Sequence, residues 1–359
     1  MRLAITRTKI MAQEIPSSMR ALAIATYSQP SNYDLATLPT PKIVDGDELL
    51  IKVHAASVNP IDVKMASGFP YKIGYDLSGV VVAVGASVSK FKPGDEVYSR
   101  VVQKNRGTIA QYAISTESTT AKKPRSLSFN EAASIPLAAQ TALQALQIGQ
   151  EGLDGGLLGK TVFVPGGLSG TGSFAVQLAK NVFGAGKVIT TLSTGKIPKI
   201  KELLGTSAPD HIVDYTKEDI SKAVEGHSID FMFDTVNSAV SSFPLMKKGS
   251  RIVSVSATPS GSAMKEKMLD MPFYVVFLLD IADWILTMRA RWNGINYKYL
   301  SLTGNTRDLE RLATWVDEGK IKPIVGTTVK LSDIEGVRKG CQQIYDGKGG
   351  IGKFVIEID

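Results

Sequence analysis

The sequence is poorest in the residues that carry disulfide and metal chemistry. It has one cysteine, Cys341, and three histidines, His54, His211 and His227, in 359 residues. A single cysteine excludes an internal disulfide and fits a reducing compartment. Catalytic zinc draws three protein ligands from Cys, His and carboxylates, and structural zinc draws four, usually with several cysteines. Neither set is present, so no metal site is expected, and His54 reads as a strand residue. A long uncharged apolar run is also missing. The most apolar stretch, Pro272 to Met288, is shorter than the roughly 20 residues that span a bilayer and carries Asp280 and Asp283. No transmembrane segment is expected. With Thr287, these acids share one helical stripe, which predicts a mostly buried helix with a narrow wet edge, used as a pocket wall or subunit contact. Basic residues outnumber acidic ones by 41 to 34, a net charge of +7. They are scattered in ones and twos without interleaved aromatics, so no nucleic-acid partner is expected.

What is present divides in two, as the length alone suggests. Residues 1–18 form an N-terminal extension in which Arg2, Arg7 and Lys9 face one acid, Glu14. That composition suits a disordered tail or a targeting peptide. The expected location is the cytoplasm, with a mitochondrion or other organelle as the alternative. From Met19 to about Lys122, short strand-like runs are broken by turns such as Asp45-Gly46-Asp47 and Lys92-Pro93-Gly94-Asp95, predicting a β-rich domain. After Lys123, apolar strands at Thr161–Val164, Lys187–Leu192, His211–Tyr215, Ile229–Val236 and Arg251–Ser256 alternate with helical segments, and Tyr297–Leu302 offers a sixth strand. Such continuously apolar strands predict a doubly wound parallel sheet, making the chain α/β. The tail from Ile321 to Asp359 returns to the short-strand style and is expected to rejoin the first domain.

The strongest chemical signal is Gly166-Gly167-Leu168-Ser169-Gly170-Thr171-Gly172, between an apolar strand and a helix. Glycines there allow a tight turn and close approach to a pyrophosphate, which the free amides and dipole of the helix start attract. Ser169 and Thr171 add hydroxyls. The next strand ends without the acid that grips the ribose of NAD. It is followed instead by Ser193, Thr194 and Lys196, donors and a charge suited to a 2′-phosphate. NADPH is therefore the expected cofactor.

Several motifs in one order carry a resemblance: Ala56-Ser57-Val58-Asn59-Pro60-Ile61-Asp62, Gly74-Tyr75-Asp76-Leu77-Ser78-Gly79, Phe91-Lys92-Pro93-Gly94-Asp95-Glu96-Val97, Pro136-Leu137-Ala138-Ala139-Gln140-Thr141 and Gly319-Lys320-Ile321-Lys322-Pro323. From Met19 onward the chain resembles the zinc-independent quinone oxidoreductase and enoyl reductase branch of the medium-chain dehydrogenase/reductase superfamily. The resemblance implies a GroES-like catalytic domain from residues 19–122 and 320–359, a Rossmann domain over 123–319, and a cleft between them. It implies that Thr141 lies near the nicotinamide ribose, that Asn59 lines the catalytic cleft, and that Lys196 and Tyr215 contact the 2′-phosphate and adenosine side. Gly167, Gly170 and Gly172 would border the pyrophosphate, with Val236 and Ser256 beside the nicotinamide. Tyr71 is the candidate proton donor. Asp234 is expected to shape a loop. A homodimer is the expected assembly. The zinc-binding Gly-His-Glu of related enzymes is matched here by Gly74-Tyr75-Asp76, which lacks the histidine.

Without a Lewis acid, isolated carbonyls are poor acceptors. Conjugated ones spread the added charge into an enolate or hydroquinone anion that hydrogen bonds can stabilise. The expected substrate is a quinone or α,β-unsaturated carbonyl. A trans-acting enoyl reductase beside a biosynthetic synthase and a non-catalytic NADPH-binding protein are the alternative readings.

Overall fold

The computed structural model describes residues 14–24, 28–64, 72–257, 259–265, 271–348 and 350–359. The described chain begins with a two-stranded ribbon, β1 (Ser18–Ala23) and β2 (Asp34–Pro39). There follow β3 (Glu48–Val58), the short helix α1 (Pro60–Lys64), β4 (Asp76–Val84), β5 (Glu96–Arg100), β6 (Tyr112–Thr116) and β7 (Thr120–Lys122). Helices α2 (Phe129–Ala133) and α3 (Pro136–Gly152) lead into an alternating unit: β8 (Thr161–Pro165), α4 (Gly170–Asn181), β9 (Lys187–Leu192), α5 (Ile197–Leu204), β10 (His211–Asp214), α6 (Ile220–Ala223) and β11 (Ile229–Asp234). Then come β12 (Met246–Ser254), α7 (Gly261–Lys265), α8 (Phe273–Trp292), β13 (Asn296–Tyr299) and α9 (Thr306–Asp317), and finally β14 (Val325–Lys330), α10 (Ile334–Tyr345) and β15 (Lys353–Glu357).

The alternating unit forms a six-stranded sheet in the order β10-β9-β8-β11-β12-β13, parallel throughout. Successive strands run outward from β8 on one side and from β11 on the other, so the topological switch lies between these two. In open sheets of this kind, ligands bind outside the carboxyl ends of the strands at that point. The buried Val162, Val164 and Phe231 of the sheet share a core with Ala138, Ala142 and Leu146 of α3 and Phe174 and Leu178 of α4. Burial on both faces explains the unbroken apolar runs of β8 and β11.

The other sheet has the order β14-β15-β3-β4-β5-β7, with β6 also on β3. β15 lies antiparallel to β3, with Phe354 opposite Val58, so the tail does return to the strands laid down first. His54 is a strand residue of β3, stacked on Phe129 with ring centroids 4.3 Å apart.

One expectation is reversed. In α8 only Ala290 is fully buried, while Phe277, Leu278 and Trp284 are more than 60 % exposed. The polar stripe faces inward instead, where Asp283 and Thr287 line a pocket with Ser260, Tyr297 and Tyr299. Asp283 thus faces a pocket lined with hydroxyls, and the apolar residues of the helix point away from the sheet. The pocket-wall reading stands; the mostly buried helix with a wet edge does not.

Candidate active site

The glycine loop joins β8 to α4 at the switch point. Gly166 turns the chain with φ +70°, a left-handed conformation that side chains disfavour. A Cβ on Gly172 would lie 2.3 Å from the Gly166 carbonyl oxygen, so the loop itself requires glycine there. Ser169 is the N-cap of α4, its Oγ accepting from Gly172 N at 3.0 Å, which commits this side chain to the helix. The Gly167 amide donates to Thr190 Oγ1 at 2.8 Å, and that hydroxyl donates to Val164 O at 2.6 Å. The first turn of α4, whose amides have no partners within the helix, is the positive end that faces an anion, and Ser169 is bridged there to Gly352 of the last strand.

The other residues expected around a dinucleotide follow the carboxyl ends of neighbouring strands. Ser193 and Lys196 come after β9, and the Lys196 ammonium donates to Gly350 O at 3.2 Å. Tyr215 follows β10 with its side chain 60 % exposed. Val236 follows β11 and lies against Gly166. Ser256 follows β12, where its Oγ accepts from Asn237 N at 2.6 Å and donates to Asp234 O at 3.2 Å. Asp234 does shape this loop: its Oδ1 accepts from the amides of Val236 and Ser238 at 3.2 and 2.9 Å, and its Oδ2 from Ser254 Oγ at 2.8 Å. A carboxylate that the sequence reading passed over, Asp214, ends β10 and accepts from Thr194 Oγ1 at 2.6 Å. The hydroxyls of Thr194 and Thr216 hold it below the usual carboxylate range, and they take Thr194 out of the set of free donors.

Across the loop from the parallel sheet lies a buried polar cluster at the ends of β3, β4 and β15. Asn59 Nδ2 donates to Asp76 Oδ2 at 2.9 Å and to Asp62 Oδ2 at 3.2 Å, while its Oδ1 accepts from the Lys353 ammonium. Asp62 also accepts from the Asn59 backbone amide at 2.6 Å, a carboxylate reaching back over the first turn of a helix. Asp76 Oδ2 accepts from Ser57 Oγ at 3.0 Å, and its Oδ1 from Leu137 N at 3.0 Å. The same carboxylate thereby satisfies an open amide in the first turn of α3. Thr141 sits one turn further along α3, its Oγ1 donating to Leu137 O at 2.7 Å. With both amide hydrogens of its side chain committed and only 1 % of its surface exposed, Asn59 holds this cluster together. Tyr71, the expected proton donor, lies outside the described residues.

Lys353 is the residue the sequence reading missed. It opens an otherwise apolar strand, KFVIE, and no spacing rule flags a buried amine there. It is 5 % exposed and donates to Val58 O at 3.1 Å, and its stem crosses Gly170, where a Cβ would meet Lys353 Cδ at 2.6 Å. Just before it, Gly352 N donates to Leu168 O at 2.8 Å. The last strand thus binds the glycine loop on one side and the buried cluster on the other. Burial pushes the Lys353 pKa down, with Asp76 and Asp62 opposing.

Burial, then the neighbouring Asp76, pushes the Asp62 carboxyl up to about 7, and its Oδ1 has no hydrogen-bond partner. A carboxyl whose folded pKa is raised contributes stability that is complete below the unfolded value and is lost as pH climbs through the folded one. Thermal unfolding should therefore show Asp62→Asn gaining on the wild type by a few degrees, on the order of 3 to 6 °C, as pH rises from about 5 to 8. A gap that stays constant with pH would mean Asp62 is ionised in the fold throughout.

These features match known proteins. Residues 45–125 fit the alcohol dehydrogenase GroES-like domain, and residues 209–339 fit the zinc-binding dehydrogenase domain. The chain belongs to the medium-chain dehydrogenase/reductase superfamily, in its quinone oxidoreductase and enoyl reductase branch. It is 32 % identical over 327 residues to 2-methylene-furan-3-one reductase of Solanum lycopersicum, covering 87 % of this chain and 72 % of that protein. It is 31 % identical to the chloroplastic NADPH-dependent alkenal/one oxidoreductase of Arabidopsis thaliana, with the same coverage. The quinone oxidoreductase of Coxiella burnetii superposes with a TM-score of 0.76 at 27 % identity over 95 % of this chain and all of that one.

Among the described residues no group of three or more Cys, His, Asp or Glu side chains could hold a metal ion. The buried acids Asp62 and Asp76 instead lie in the field of the Lys353 ammonium, which Asn59 and Val58 hold.

Proposed function

We propose that the protein is an NADPH-dependent oxidoreductase that passes hydride to a conjugated acceptor, a quinone or α,β-unsaturated carbonyl, without a metal. The observation that carries this reading is the glycine loop leading into the start of α4 at the switch point of a parallel sheet, beside a buried cluster whose cation is a lysine. Bound there, NADPH supplies the hydride, and the protein supplies binding and orientation. The loop of Gly167, Ser169, Gly170, Thr171 and Gly172 and the first turn of α4 hold the pyrophosphate. Ser193 and Lys196 hold the 2′-phosphate, and Tyr215 covers the adenosine side. Thr141, Val236 and Ser256 border the nicotinamide, and Asn59 fixes the floor of the cleft. Aligning donor and acceptor and excluding water supply up to roughly 7–11 kcal/mol of barrier lowering in the best cases. Tyr71 returns a proton to the product. The tomato and Arabidopsis reductases act, by their names, on conjugated carbonyl compounds, which supports the substrate class. A homodimer has an available edge in β13, whose outer side pairs with no strand among the described residues. The cytoplasm is the proposed location, and import through residues 1–18 is the alternative that the chloroplastic relative favours.

The test is loss of nicotinamide absorbance with NADPH against quinones, enones and saturated ketones, with and without chelator. Conjugated acceptors should be reduced and saturated ketones left, with chelator making no difference; Tyr71→Phe should lower turnover far more than NADPH affinity. Chelator-sensitive ketone reduction would overturn the metal-free mechanism. NADPH binding without oxidation of any acceptor would replace the reductase with a cofactor-binding protein.

A further inference from the structure

The outward face of α8 has no role in the reaction proposed above. Phe273, Phe277, Leu278, Trp284, Ile285 and Trp292 are all large, apolar and exposed, with Phe273 at 81 % and Trp292 at 79 %. At 100° per residue they fall on one stripe along the helix. With each aromatic able to present 150–250 Å², the stripe exposes on the order of 1,000 Å², above the roughly 300–600 Å² of the largest patch on a typical monomer.

The charges around the stripe decide what covers it. Arg289 and Arg291 occupy the last turn, and the same angular step sets one at each margin of the stripe. Of the helix's acids, Asp280 falls beside Arg291 at one margin and accepts from Ser262 N and Oγ at 3.0 and 2.9 Å, while Asp283 lines the inner pocket. The stripe is therefore apolar and aromatic, with two arginines against one carboxylate at its margins, on a chain of net charge +7. A second copy laid antiparallel would bring these arginines to the first turn of its partner's helix, which has no acidic residue. Anionic lipid headgroups complement them, and Trp284 and Trp292 suit the boundary between headgroups and acyl chains. Among the described residues no helix is long and apolar enough to cross a membrane, so α8 would lie along the surface.

We propose that α8 docks the protein on a membrane surface rich in anionic lipid, with its outward stripe sunk to the acyl boundary. The full-length protein should float with phosphatidylcholine–phosphatidylserine vesicles and less with phosphatidylcholine alone, with its tryptophan emission shifted to the blue. The double substitution Phe277→Asp, Trp284→Asp should cut the bound fraction at least about ten-fold while circular dichroism and thermal unfolding stay as in the wild type. Should that variant misfold, Arg289→Gln with Arg291→Gln tests the same face, and the preference for phosphatidylserine should fall. A protein that floats with neither vesicle, or a variant that floats as well as the wild type, overturns the proposal. So does a dimer in solution that the double substitution splits while vesicles bind neither form, since a second copy would then cover the face.

Discussion

Lys353→Met should destabilise the protein by about 1–3 kcal/mol, the usual consequence of leaving buried hydrogen-bond acceptors without a donor. Methionine keeps most of the stem that packs over Gly170 and loses the ammonium that donates to Asn59 and Val58 and whose charge opposes those of Asp76 and Asp62. Two carboxyls would then be buried with no cation among their partners. Urea unfolding of the variant checks the size. Adding Asp76→Asn to it should recover part of the loss, because the amide removes a charge that no longer has a counterion. A single variant as stable as the wild type would show that both carboxyls are neutral in the fold and that the lysine is dispensable.

Lys196→Ala should raise KM for NADPH by roughly 10- to 100-fold, the range for a lost hydrogen bond to a charged group, and leave KM for NADH nearly unchanged. In the described structure the ammonium rests on the Gly350 carbonyl, a contact a 2′-phosphate would readily displace. The two cofactors differ only in that phosphate, so the ratio of the two KM values isolates the contact from any general damage to the loop. Equal effects on both would move the 2′-phosphate away from Lys196 and leave Ser193 as its remaining proposed partner.

The parallel sheet was legible in the sequence because burial on two faces leaves an unmistakable mark. Runs such as Val162-Phe163-Val164 admit few other arrangements, and the glycine loop announced itself by its place after one of them. The strands β2, β7 and β14 were not legible. Thr327 and Thr328 of β14 are exposed, and β7 has three residues, so neither shows an apolar period. α8 misled for a physical reason: an apolar helix with a polar stripe reads the same whether the stripe faces water or a pocket lined with hydroxyls. The ends of the candidate cofactor site were readable from strand ends alone. The buried cluster was not, because Asn59, Asp76 and Lys353 meet only when three distant strands pair.

That pairing bears on how the protein is made. Lys353 contacts a carbonyl 295 residues earlier in the chain, and β3 receives β15 as a neighbour only after everything between them has been synthesised. On the ribosome the parallel sheet can assemble first, as a self-contained unit, while the early strands wait with an open edge. Until the final residues emerge, that edge is free to pair with a strand of another nascent chain. A premature stop just upstream of Lys353 would leave a nearly complete chain that could not close its first domain.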